Sequence, residues 1–381
     1  MNFDLSEDQE LLKALAERFV AGHCDLDRRR LGQASDHGFL PENWALLGEL
    51  GLIAAPFAPA DGGMGLGASD LATVFEALGR GLAVEPLLEN VLVGGCLFAA
   101  TARGALRDKW LPAIVSGERR IALAHAEAGG RGGHLWVETR CHADGQGAVI
   151  EGSKPYVPAG CGADGYIVSA RTHGAPGEAQ GLGLYFVPAD AARLTVTPWR
   201  MADGSRAVSI DLTSVSLGRD QQLDAGPEGA FAAIEAVQCR ANLARAAEAL
   251  GIMERMFNDT LDYLRTREQF GTPLGSFQAI QHRMALQYAA LEQARGLVNL
   301  AQVSEGASDF ASAVDGARAF ISRMSIALGH EMIQFHGGMG VTDELAIGHA
   351  HKRLLVLSRW PDDPEAALDR FAGVAASATR V

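Results

Sequence analysis

Three short clusters in the last third of the chain carry residue types suited to holding a ligand: Arg267-Glu268-Gln269-Phe270-Gly271, then Phe277-Gln278, then Gln334-Phe335-His336-Gly337-Gly338-Met339-Gly340. A guanidinium can grip a pyrophosphate through paired, charge-assisted hydrogen bonds. Glycines let backbone approach a ligand with no Cβ in the way. Each residue also has a plain structural reading, Arg267 as a surface ion pair and Gly337-Gly338 as a helix C-cap. Carboxylates form the second group. Glu248 sits in Ala246-Ala247-Glu248-Ala249-Leu250-Gly251, and a charge among small apolar residues finds either a partner or a task. Asp362 and Asp363 follow Trp360-Pro361, where a solvated loop is the plain reading.

A separate glycine cluster, Gly62-Gly63-Met64-Gly65-Leu66-Gly67, invites a dinucleotide fingerprint. It follows a loop and not a strand, and no βαβ unit surrounds it, so it reads as a permissive turn between helices.

The elements that must position these residues show three regimes. From Ser6 to about Val115 the pattern is helical. Ser6 with Gln9 suggests a capping box, and Leu11, Leu12, Leu15, Ala16 and Phe19 recur at helical spacing. From about Ile121 the period becomes two: Trp136–Cys141 alternates, Ala143–Gly147 is a turn, and strands follow at Tyr166–Ala170, Leu184–Val187, Leu194–Pro198 and Val208–Leu212. No useful helix intervenes, so this is an antiparallel sheet or barrel, not a βαβ series. After Pro227, helices are expected over Ala230–Thr266, Ser276–Ser304 and Ser308–His336, each with a Ser cap or a Gly/Pro boundary, and a fourth, shorter one over Asp343–Leu357. Thirty helical residues span about 45 Å, suiting an extended four-helix bundle.

At 381 residues, more than one domain is expected. The reading is α+β: an N-terminal helical domain over 1–118, a central antiparallel β domain over 119–225 and a C-terminal four-helix bundle over 226–381. The 46 acidic and 33 basic residues leave a net charge of −13 without a basic stretch, which argues against a nucleic-acid partner. A few arginines still suffice for one small anion. The start, Met1 to Glu7, lacks signal-peptide features, and no apolar run is long enough for a membrane span. The five cysteines show no paired spacing and read as buried reduced thiols; a cytoplasmic protein without metal is expected.

The spacing of Arg267, Phe270, Gly271, Phe277-Gln278 and Gln334–Gly340 resembles the C-terminal domain of the acyl-CoA dehydrogenase family. The likeness extends through Glu49–Gly67 and through Gly152, Lys154, Ala163-Asp164 and Val168–Arg171. It implies FAD as cofactor and α,β-desaturation of an acyl-CoA thioester, with electrons passed to an electron-transfer flavoprotein. Arg267 and Gln278 would approach the pyrophosphate and adenine half of FAD, and Phe270 would pack near the adenine. Gln334, Gly337 and Gly338 would reach a flavin bound mainly by a neighbouring subunit, which implies a dimer of dimers.

The β segment departs from the family pattern. The Thr-Glu-Pro…Gly-Ser segment is Ala126-Glu127-Ala128-Gly129-Gly130-Arg131-Gly132, and the flavin-stacking Trp-Ile-Thr is Tyr156-Val157-Pro158. Tyr156 keeps an aromatic face, but Ala126 and Pro158 bring no hydroxyl.

The family reaction also needs a desolvated carboxylate against the substrate α carbon. Counting the family spacing on from Gly337 lands on Pro361; counting back from Gly271 to a second family position lands on Ala241. Asp363, two positions past Pro361, and Glu248, two turns past Ala241 on the same helix face, are the candidate bases. This pattern also resembles the small subunit of pimeloyl-CoA dehydrogenases. The chain is therefore expected to be either a dehydrogenase or a half-site subunit of a heterotetramer.

Overall fold

The computed structural model describes residues 5–130, 135–145 and 147–373; Arg131 and Gly132 of the β-segment motif, and Gln146 of the expected turn, lie outside them. The chain forms two compact units, each assembled from separated segments, and the division falls within one long helix, between Ala241 and Asn242.

The first unit takes residues 1–26, 68–83 and 242–381. It holds α1 (Glu7–His23), α4 (Ala68–Gly81), most of α7 (Gly229–Thr266), α8 (Gln278–Val303), α9 (Phe310–His336), α10 (Ala346–Arg359) and α11 (Pro364–Phe371). The capping box is present: the Ser6 side chain accepts from the Gln9 amide, and Gln9 accepts from the Ser6 amide. Helices α4 and α7 cross almost backbone to backbone. A Cβ on Gly79 would stand 2.2 Å from the Glu248 carbonyl, and one on Gly251 would stand 2.0 Å from the Glu76 carbonyl. Arg80 then joins α1, α4 and α7 by pairing with Glu17, Glu76 and Glu254, and Arg295 brings in α8 through Glu76 and Glu254.

Two details differ from expectation. Helices α8 and α9 begin without a side-chain cap, since Phe277 and Asp309 stand at their N-cap positions and make no such bond. An additional short helix, α11, follows α10, because Asp363 caps it and Pro364 suits its first turn.

The second unit takes residues 27–67 and 84–241. It holds α2 (Leu26–Ala34), α3 (Pro41–Glu49), a π-helical stretch Leu87–Gly95, α5 (Cys96–Thr101), α6 (Gly104–Val115) and a sheet. The strands are β1 (Ile121–Ala124), β2 (Arg140–Ala143), β3 (Gly147–Pro158), β4 (Gly165–Arg171), β5 (Leu182–Pro188), β6 (Leu194–Arg200), β7 (Arg206–Gly218) and β8 (Gln222–Leu223). Their order is β6-β7-β3-β2-β4-β5-β8, with β1 beside β4. Ladders are mostly antiparallel, but β1 and β2 pair with β4 in parallel, making the sheet mixed. All four residues of β1 and all seven of β4 are buried, so neither strand alternates.

The expected strand over Trp136–Cys141 begins only at Arg140. Side chains have taken the backbone groups before it. Arg171 donates to the Leu135 and Val137 carbonyls, and the amides of Glu138 and Thr139 donate to Glu127. Of the five cysteines, all free, only Cys141 is fully buried, and the other four are partly exposed. Among the described residues no helix is long and apolar enough to cross a membrane.

Candidate functional site

The motif R-x-x-F-G folds as a hairpin. The short strands β9 (Glu268–Gln269) and β10 (Thr272–Pro273) pair antiparallel around a two-residue loop. Phe270 and Gly271 both have positive φ, +54° and +79°, the signature of a type I′ turn. Glycine accepts this conformation readily; phenylalanine does so at a cost of the order of 1 kcal/mol. The strained Phe270 is nonetheless 92% exposed at the tip, edge-on to Phe277 at 6.3 Å between ring centroids. Arg267 anchors the hairpin by its backbone, accepting from Leu274 N and donating to Tyr263 O, both at 2.8 Å. Its exposed side chain forms no ion pair among the described residues. The surface ion-pair reading of Arg267 thus has no partner. Gln278, first residue of α8, is exposed as well.

The glycine cluster ends α9. Gly337 is its C-cap, with φ +59° and ψ −139°, a conformation open essentially to glycine alone. Gln334, Gly337 and Gly338 are exposed, and a Cβ on either glycine would meet nothing within 4 Å. Gly340 differs: it packs against the Ile333 carbonyl. Two side chains that the motif reading did not single out bring the clusters to one end of the unit. The Tyr263 and His336 rings stack at 4.4 Å, tying the last turn of α7 to the last turn of α9, while His336 Nδ1 meets the Met332 carbonyl at 2.9 Å. The only signal for Tyr263 was its place one helical turn before Arg267. A mainly apolar cleft of about 340 Å³ lies here, lined by Leu261, Leu264, Pro273, Ile280, Gln281 and Met284 among others.

The candidate carboxylates are placed differently. Glu248 is buried and accepts from Arg353 Nε at 2.7 Å and Nη2 at 3.1 Å. Asp363 is exposed and accepts from the Ala366 amide at 3.0 Å as the cap of α11. Asp362 is buried between Arg318 Nε at 3.1 Å and Arg370 Nη1 at 2.5 Å. Arg318 also donates to the Leu357, Trp360 and Asp362 carbonyls, so it builds the loop around Pro361. Burial pushes Arg318 down to about 10, against the pull of Asp362. Ala241 is fully buried.

In the second unit, a bulge presents Tyr156. The β3–β7 register passes from Lys154 opposite Ile210 to Val157 opposite Val208, so Pro155 and Tyr156 together face one residue, Ser209. Such bulges re-aim side chains. Tyr156 turns outward, 44% exposed, and bridges antiparallel to Ala126. The two segments that the resemblance placed beside the flavin are therefore adjacent. Trp199 lies edge-on to Tyr156 at 6.2 Å, its indole N–H buried without an acceptor among the described residues. Pro158 is buried.

Residues 6–118 match the acyl-CoA dehydrogenase N-terminal domain and residues 234–360 the acyl-CoA dehydrogenase C-terminal domain, together well over half of the chain. The chain belongs to the acyl-CoA dehydrogenase family. With membership comes the family's cofactor, FAD, and its substrate class, the acyl-CoA thioesters. Acyl-CoA dehydrogenase FadE27 of Mycobacterium tuberculosis is 26% identical over 350 residues, covering 90% of each chain. Acyl-CoA dehydrogenase IpdE2 of the same organism is 28% identical over 366 residues, covering 96% of each. A variant of the Tcur3481–Tcur3483 steroid ACAD superposes with a TM-score of 0.84 at 29% identity, covering 97% of each chain.

The exposed Arg267 without an ion pair, the aromatic Phe270 held outward and the open backbone at Gly337 and Gly338 suit the adenine and pyrophosphate half of FAD. The Tyr156 face suits the ring half, with an aromatic surface and backbone groups in place of the hydroxyls.

Proposed function

We propose that this chain is one subunit of a heteromeric, FAD-dependent acyl-CoA dehydrogenase, completing the flavin site while a homologous companion chain supplies the catalytic base. One observation carries this reading: the three candidate carboxylates, Glu248, Asp362 and Asp363, already have structural work. Glu248 is neutralised by Arg353, Asp362 by Arg318 and Arg370, and Asp363 caps a helix in solvent, while Pro361 and Ala241 hold the positions themselves. A base at the substrate α carbon must be desolvated to reach a useful pKa, and an exposed aspartate is not.

FAD, when bound, would supply the hydride-accepting chemistry opposite the substrate β carbon. Arg267 and Gln278 would hold the pyrophosphate and adenine half, Phe270 would pack on the adenine, and Gln334, Gly337 and Gly338 would offer side-chain amide and backbone to a flavin held mainly by the neighbouring subunit. Tyr156 provides the aromatic wall. An electron-transfer flavoprotein would be the electron acceptor. The two-chain name of the steroid ACAD that is 29% identical adds support for a heteromer.

The test is exchange of the substrate α proton into deuterated water, which reports the base without the full redox cycle. The FAD-loaded chain, alone and mixed with a co-encoded homologue, would be assayed over an acyl-CoA panel that includes steroid-derived thioesters. Exchange only in the mixture is expected. Exchange by the chain alone, abolished in Asp363→Asn, would instead establish a self-sufficient dehydrogenase with Asp363 as base.

A further inference from the structure

Behind the Tyr156 face lies a buried ion pair that the reaction itself does not use. Lys154 is fully buried, and its ammonium donates to Glu127 Oε1 at 2.6 Å, Ser169 Oγ at 3.0 Å and the His125 carbonyl at 3.1 Å. His125 and Glu127 flank Ala126, so one ammonium holds both neighbours of the residue that bridges Tyr156. The Glu127 carboxylate is saturated from the other side by Glu138 N at 2.5 Å, Thr139 N at 3.1 Å and Thr139 Oγ1 at 2.7 Å. His125 Nδ1 and Ser169 Oγ close the network at 2.8 Å.

Burying two charges is a weak source of net stability, because desolvation offsets much of their attraction. What a saturated buried network does provide is one fixed geometry. That geometry matters at this face. Alanine at 126 and proline at 158 bring no side-chain hydrogen-bonding group, so at these two positions backbone amides and carbonyls are left to meet the polar edge of a flavin. A backbone group makes a strong contact only when held in place beforehand.

We propose that Lys154 and Glu127 are positioning residues for the flavin: the pair clamps the 125–127 backbone against Tyr156, so that backbone there does the work that hydroxyl side chains do elsewhere in the family. This rests on the reading that FAD lies against Tyr156. Burial pushes the Lys154 ammonium down to about 8, against the pull of Glu127; burial also raises Glu127, but Lys154 and the hydrogen bonds from the Thr139 hydroxyl and the Glu138 amide more than reverse this, leaving it below the usual carboxylate range. Near neutral pH the pair is therefore charged on both sides.

The experiment uses the full-length chain in its FAD-loaded assembly. The double variant Lys154→Met/Glu127→Gln removes both charges together, so neither is left buried alone, and Ser169→Ala removes one acceptor of Lys154 with little change in volume. Readouts are the cooperativity of thermal unfolding, the FAD dissociation constant and the shape of the visible flavin band. The double variant is expected to melt cooperatively, bind FAD about tenfold more weakly, a loss near 1.4 kcal/mol, and show an altered flavin band; Ser169→Ala should move both flavin readouts the same way by less. A cooperatively folded double variant with parental FAD affinity and band shape overturns the proposal. If the double variant does not fold, Ser169→Ala decides by the same two flavin readouts. Tyr156→Ala tests the underlying reading separately: unchanged FAD affinity and band shape there would mean that FAD does not lie against Tyr156.

Discussion

Arg353 on α10 donates from Nε and Nη2 to both carboxylate oxygens of Glu248 on α7, at 2.7 and 3.1 Å, across 105 positions of sequence. This fork-to-fork pairing is the strong geometry for an arginine and a carboxylate, and it fits Glu248 to hold α10 against α7. Glu248→Gln leaves a partly buried guanidinium short of this counter-charge. Losing a hydrogen bond between charged groups costs about 1.5–3 kcal/mol, read as a lower urea midpoint, while α-proton exchange by the assembled enzyme stays at the parental rate.

Asp363 separates a capping role from an acid–base role by a pair of variants. Asparagine caps a helix nearly as well as aspartate, and alanine does not. Asp363→Ala should lower stability by about 1 kcal/mol and Asp363→Asn by much less, with exchange in the assembled enzyme unaffected by either. Denaturant titration and the deuterium assay check the two halves. Slowed exchange in Asp363→Asn would return this residue to the chemistry.

Arg267→Ala should weaken FAD binding about ten- to hundredfold, the equivalent of losing about 1.5–3 kcal/mol from a charged hydrogen bond. Because the side chain forms no internal ion pair, the far-ultraviolet circular dichroism and melting temperature should hold. Unchanged flavin content in the variant would remove Arg267 from the cofactor site.

Phe270 makes stability and function move in opposite directions. Asparagine suits the first position of a type I′ turn, so Phe270→Asn should stabilise the chain by about 1 kcal/mol. It also removes the ring proposed to pack on the adenine, so FAD should bind more weakly. Calorimetric melting and a flavin titration on one preparation test both signs.

His351 predicts an acid-side loss of stability. It is buried against Gly329, with Nδ1 lacking a partner among the described residues and His330 4.8 Å away between ring centroids. Burial, with a smaller push from His330, lowers it to about 4. Between about pH 6.5 and 4 the unfolded chain therefore binds a proton that the folded chain refuses. The folded state loses stability as pH falls through that window and is unaffected by His351 above it. The melting temperature should fall as pH drops from 6.5 to 4, and His351→Gln should flatten the slope.

The amino-acid sequence by itself determined the order of helix, strand and helix, the capping box at Ser6, the helix end at Gly337 and the spaced set around Arg267. These are local matters: periodicity shows which face of an element is buried, and a glycine with open backbone angles marks a turn wherever it falls. Even Phe270-Gly271 was visible as a motif, although not as a strained hairpin tip. What the tertiary structure decided were the long-range pairings. Nothing in the run from Ala246 to Gly251 names Arg353 as the partner of Glu248, and nothing near Pro361 names Arg318, 44 positions away from Asp362, as the side chain that builds that loop. Likewise Trp136–Thr139 alternates like a strand, yet Arg171 and Glu127 claim its backbone groups first. A carboxylate's role follows from whether it is desolvated and what faces it, and both depend on which distant helix the fold brings alongside.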